Sequence, residues 1–128
     1  MDATYALMAE ICRTLAHPTR IALLHALADG PVEVGRLADA LGVSQPNASQ
    51  HLAVMRSAGL VEARRDGREV QYRLADRGVL DACELMAGVM RRRLARLADI
   101  SARLDGRPAP RDAGSVAMGA PGARRIGA

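Results

Sequence analysis

A chain of 128 residues has the length of one domain with a short tail to spare. It contains no Phe and no Trp, and Tyr5 and Tyr72 are its aromatics, so the core must rest on Leu, Ala, Val, Ile and Met, a palette suited to closely packed helices. The net charge of +4, from eighteen Arg and no Lys, calls for an anionic partner, and no apolar run nears the ~20 residues of a membrane span, so no membrane association is expected. Leu7, Met8, Ile11, Cys12 and Leu15 recur at helical spacing and predict a first helix over Thr4 to Leu15. His17-Pro18 interrupts it, and Pro18 suits the first turn of a second helix through Ile21, Leu23, Leu24 and Leu27, stopped by Asp29-Gly30-Pro31. A third helix, Val34 to Leu41, buries Val34, Leu37, Ala38 and Leu41 and ends at Gly42. Ser44 is the N-cap of a fourth helix, with Pro46 in its first turn and Ala48, Leu52 and Met55 inward, ending near Ala58 at Gly59.

After Gly59 the period changes to two. Leu60 to Arg65 and Arg68 to Leu74 read as short strands joined at Asp66-Gly67, a strong hairpin signal. The helical period resumes from Val79 to Leu104 through Leu80, Cys83, Met90, Leu94 and Leu97. That stripe is longer than a small helical core can cover, so part of it should meet a second copy of the chain. The expected domain is 1–105, and the Gly-, Pro-, Ala- and Arg-rich stretch 106–128 reads as a disordered tail.

Catalytic signals are absent. There is no Gly-rich phosphate loop, no G-x-S-x-G and no H-E-x-x-H, and His17, His25 and His51 fall in different segments without clustered carboxylates. No enzyme activity, metal or cofactor is expected. Cys12 and Cys83 are too few for a disulfide scaffold and match no C-x-x-C spacing. Met1 leads straight into a helical pattern rather than a signal peptide, so the expected compartment is the cytoplasm.

The informative segment is LADALGVSQPNASQHLAVMRSAGLV, Leu37 to Val61. Two short helices flank the three-residue turn Gly42-Val43-Ser44, and the small Ala38 and Ala48 permit the close crossing of a helix-turn-helix. The second of these helices presents Gln45, Asn47, Ser49 and Gln50, with His51 at the edge, side chains that donate and accept toward base edges. Ser44 is a candidate phosphate contact, and the hairpin carries Arg64, Arg65, Arg68 and Arg73 as a basic wing, with Arg56 nearby. A polar helix face alone is as easily a solvated face, and an Arg-only basic set as easily reflects a GC-rich genome. The conjunction of turn, amides and basic wing is what points to double-stranded DNA.

The blocks LAHPTRIALLHAL (Leu15 to Leu27), Leu37 to Val61, and RRDGREVQYRL (Arg64 to Leu74) occur together in an order and spacing that resembles the ArsR/SmtB family of small bacterial winged-helix repressors, over roughly residues 4 to 104. The resemblance implies a mainly α winged helix-turn-helix with a β-hairpin wing, a homodimer through its first and last helices, and an imperfect palindromic operator released by an inducer. The family's metal sites do not carry over. Val32-Glu33-Val34-Gly35 replaces the C-x-C of arsenic and lead sensors, Asp81-Ala82-Cys83 keeps one Asp of the zinc and nickel type, and Val54 and Ala58 replace the cadmium type's cysteines. Cys12 and Cys83 remain, one on each expected interface helix. They read as small core hydrophobes, as a thiol switch answering oxidation or reactive sulfur, or as an arsenite site. The inducer itself is not written in the chain. A winged-helix protein-interaction module is the competing class, and it would have no use for a basic wing beside an amide-bearing helix.

Overall fold

The computed structural model describes residues 1–106, so the tail expected from 106 lies, beyond its first residue, outside the described residues. The described chain divides into two units, Met1–Arg77 and the segment from Gly78 onward, and each is treated by itself.

Helix α1 runs Ala3–Thr14. Asp2 caps it by accepting the Thr4 N–H at 2.9 Å, a bond that lowers the carboxyl pKa below its ordinary value. None of its residues is buried. His17 is extended ahead of Pro18, which opens α2, Pro18–Ala26. Ala22, Leu23, Leu24, Ala26 and Leu27 are buried, whereas Ile21, on the same helix, is exposed. At ~100° per residue, Ile21 lies about 200° from Leu23 around the helix, on its far side.

Glu33 does two jobs that the sequence reading missed. With Val32 it forms a two-residue strand, β1 (Val32–Glu33), and its carboxylate caps α3 (Val34–Leu41) by accepting from Gly35 N at 2.8 Å and Arg36 N at 3.1 Å. Gly42 ends α3 in the left-handed region at φ 68°, where a side chain would be strained, and Val43 N closes onto Ala38 O. Helix α4 spans Gln45–Ser57, and Leu60 N reaches back to Met55 O past Gly59 at its end.

Strands β2 (Val61–Asp66) and β3 (Glu69–Leu74) form the wing, and β1 adds to β3, giving the antiparallel order β1-β3-β2. The pairs Val32↔Tyr72 and Ala63↔Tyr72 put Tyr72 at the centre of the sheet. The turn sits one residue later than predicted. Asp66 pairs with Glu69, so the two loop residues are Gly67 and Arg68, and Arg68 is at the tip rather than in a strand. Gly67 alone has positive φ there, 62°, which suits a turn that demands glycine at its first central position. The core of this unit gathers Leu23, Leu24, Leu27, Leu37, Ala48, Leu52, Met55 and Val61, all nearly or fully inaccessible.

The second unit is α5, Gly78–Leu104, in which only Leu80 and Ala102 are buried. An Arg103–Asp99 pair at 3.1 Å spans one turn of it.

Candidate nucleic-acid interface

Helix α4 has two faces. Ala48, Leu52 and Met55, at i, i+4 and i+7, are fully buried. The same period turns Asn47, Gln50, Ala53, Val54 and Ser57 outward, and all five are exposed. Gln45 is exposed near the helix start, and Ser49 and His51 are half-buried on the flanks. Ser44 Oγ accepts the Asn47 N–H at 3.2 Å, which leaves its own O–H to donate outward. Of the predicted base-reading set, α4 thus presents Gln45, Asn47 and Gln50 to solvent, with Ser49 at the margin. Arg56 is exposed in the last turn and lines a shallow groove with Gly59, Val61, Glu62, Ala63 and Ala75.

The wing arginines fall into two groups. Arg73 is bound to Glu62 across β2 and β3, at 2.8 Å from Nε and 2.7 Å from Nη2, so its charge is matched inside the sheet. Arg64, Arg65 and Arg68 are exposed and have no hydrogen-bond or ion-pair partner among the described residues. Three exposed guanidiniums at and beside a hairpin tip offer the planar fork of donors by which Arg can meet phosphate oxygens.

His51 is held from inside. Arg20 on α2 donates from Nε to His51 Nδ1 at 3.1 Å and from Nη1 to Thr14 O, at the end of α1, at 3.0 Å. The His17 ring lies 6.0 Å from that of His51. Desolvation, then the Arg20 charge, then His17, lower the His51 pKa below the ordinary histidine value. With Nδ1 accepting, the neutral ring carries its proton on Nε2, as a donor. This bracket of α1, α2 and α4 joins residues 31 apart and left no mark on local pattern. Val54 and Ala53 were also missed as members of the outward face, although the helical period that found Gln50 contains them.

Cys12 is exposed on α1 and Cys83 is half-buried on α5. Among the described residues no three His, Cys, Asp or Glu side chains gather to hold a metal ion. No described helix is long and apolar enough to cross a membrane.

A helix-turn-helix domain model matches residues 15–64. The biofilm growth-associated repressor of Agrobacterium fabrum is 45% identical over 69 residues, 54% of this chain and 59% of that protein. An uncharacterised HTH-type transcriptional regulator of Mycobacterium tuberculosis is 43% identical over 97 residues, 75% of this chain and 82% of its own length. Among solved structures, a homodimeric winged helix-turn-helix DNA-binding domain from Mycobacterium bovis, described as a possible ArsR-family regulator, superposes with a TM-score of 0.66 at 34% identity, covering 73% of this chain and 87% of that one. The chain thus spans about 60% of the length of the biofilm repressors it matches.

Proposed function

The chain belongs to the ArsR/SmtB family of winged helix-turn-helix transcriptional regulators, and from that premise we propose that it is a cytoplasmic, homodimeric repressor that binds an imperfect palindromic operator and leaves it when an inducer acts. Helix α4 enters the major groove and reads base edges through Gln45, Asn47, Ser49 and Gln50. Ser44, Arg56, Arg65 and Arg68 hold the phosphate backbone, and His51 Nε2 donates at the rim. The observation that carries this is the pairing of an exposed amide face on a helix packed by its opposite side with three unmatched arginines on the adjoining wing. A protein-binding module needs no such concentration of unmatched guanidinium.

The second copy is supported by two uncovered apolar faces. On α1, Leu7 and Met8 are 61% and 54% exposed, and on α5 Met86, Leu94, Leu97 and Ile100 are all exposed. Homodimerisation of the M. bovis domain supports the same assembly. The inducer chemistry that fits the donors is thiol chemistry. Cys12 is exposed rather than packed, which disfavours a purely structural role within one chain. Joining two thiols as a disulfide releases two protons and two electrons to an oxidant such as diamide or a polysulfide.

The test is equilibrium binding of the full chain to a duplex enriched from a random library, across a salt series and with reduced, diamide-treated and arsenite-treated protein. Tight binding to the enriched duplex is expected, weakening steeply with salt as counterions are released, ~0.9 log units per log unit of salt for each phosphate neutralised. Failure to enrich any duplex overturns the repressor reading. Release by diamide that Cys12→Ser abolishes supports the thiol switch, and release by arsenite alone replaces it with a metalloid switch.

A further inference from the structure

Between residues 16 and 77 only two large apolar side chains are left exposed, Ile21 at 37% and Val54 at 41%. Ile21 lies on α2. Val54 lies on the outward face of α4, one turn beyond Gln50 and two beyond Asn47, with exposed Ala53 beside it. Valine gains nothing there as a helix former, because its branched Cβ loses rotamer freedom that Ala, Gln or Arg would keep. Nor does it pack inward, since Ala48, Leu52 and Met55 already fill the opposite face. A merely solvated face needs no valine among its amides.

We infer that Val54 is a specificity-determining residue that reads the C5-methyl group of a thymine in the major groove. This rests on the proposed DNA-binding role of α4. The thymine methyl is the apolar group that base edges present in that groove, whereas the other major-groove features are hydrogen-bond donors and acceptors. Asn47 and Gln50 carry partners for those donors and acceptors, and Val54 carries the apolar partner on the same face. Its stiff χ1 holds the two methyls in one orientation, so docking them costs little rotamer entropy. The operator half-site should therefore hold a thymine on the side of the amide contacts that lies toward the C-terminal end of α4.

The experiment uses the full chain and the duplex enriched from a random library, with each thymine replaced in turn by uracil, which keeps the hydrogen-bonding edge and lacks the methyl. Wild type should lose about fourfold in affinity at one thymine per half-site, the value of returning one methyl-sized apolar group to water. In Val54→Ala that uracil penalty should shrink to less than about 1.5-fold, while replacements elsewhere behave as in wild type. Comparing the two proteins on the same duplexes cancels any change in duplex shape. Val54→Ala removes an exposed side chain in favour of a better helix former, so it leaves the fold intact. No penalty at any thymine, or an equal penalty in Val54→Ala, overturns the inference while leaving operator binding itself standing. Failure to enrich any duplex overturns both.

Discussion

Helices α1 and α4 are of similar length, twelve and thirteen residues, and both carry apolar residues at helical spacing, yet the chain treats them oppositely. In α4 the apolar face is completed at home: Ala48, Leu52 and Met55 are inaccessible, and the outward face is mainly amide and hydroxyl, with Ala53, Val54 and Arg56 toward its C-terminal end. In α1 no residue is buried, and the stripe of Leu7, Met8, Ile11 and Cys12 is left exposed or half-exposed. Hydrophobic periodicity therefore reports that a face will be covered without reporting by what. The finished face leaves the opposite one exposed to solvent, and in the proposed assembly the unfinished one is covered by a second chain.

This contrast can be broken in three ways. The largest effect is expected at the finished face. Leu52→Ala should lower the free energy of unfolding by about 2–5 kcal/mol, read from the urea midpoint, because its cavity opens in a close-packed core. A loss below about 1 kcal/mol would mean that the α4 face is not the packed one. Next, Met8→Asp or Leu94→Asp should halve the mass seen by light scattering while leaving helix content in place, since an isolated carboxylate is strongly disfavoured in an apolar interface. A mass of twice the chain retained in both variants would remove α1 and α5 from the interface. The smallest effect is the pH dependence of the bracket that joins these regions. Because the folded His51 pKa lies below its ordinary value, its stabilising contribution is full above about 6.5 and falls as pH drops through 6.5 toward the folded value. His51→Asn, whose Oδ1 takes about the place of Nδ1 and can accept from Arg20 but does not titrate, should show a shallower loss of stability on acidification than wild type. Parallel curves would show that His51 does not titrate differently in the folded protein.

Much of this was legible in the sequence, because the governing rules are local. Period, caps and glycine positions located all five helices, and the inward residues of α4 were all found in advance. What escaped involved distance or shortness. Strand β1 has two residues, too few to show alternation, and exists because Val32 and Glu33 find Tyr72 and Gln71 some forty positions later. The hairpin turn slipped by one because Asp66-Gly67 and Gly67-Arg68 satisfy the same composition rule, and only the Asp66–Glu69 pairing chooses between them. The Arg20–His51 bond crosses between helices and has no periodic trace. On the candidate interface, Val54 is not a polar residue and so carries no reading signal of its own, although its spacing from Gln50 places it on the same face. Arg73 reads from sequence as a wing cation, and only the strand pairing sets Glu62 beside it.

The proposed division of labour, reading by α4 and anchoring by the wing, is tested most directly by measuring Gln50→Ala and Arg68→Ala against both the enriched duplex and a scrambled one across a salt series. Gln50→Ala should lower the ratio of specific to non-specific affinity by about 1–3 kcal/mol with little change in salt slope, because a bidentate base contact carries discrimination but little counterion release. Arg68→Ala should weaken both duplexes alike and flatten the slope by about one phosphate contact. An unchanged ratio in Gln50→Ala, together with an unchanged slope in Arg68→Ala, would contradict the assignment of both faces.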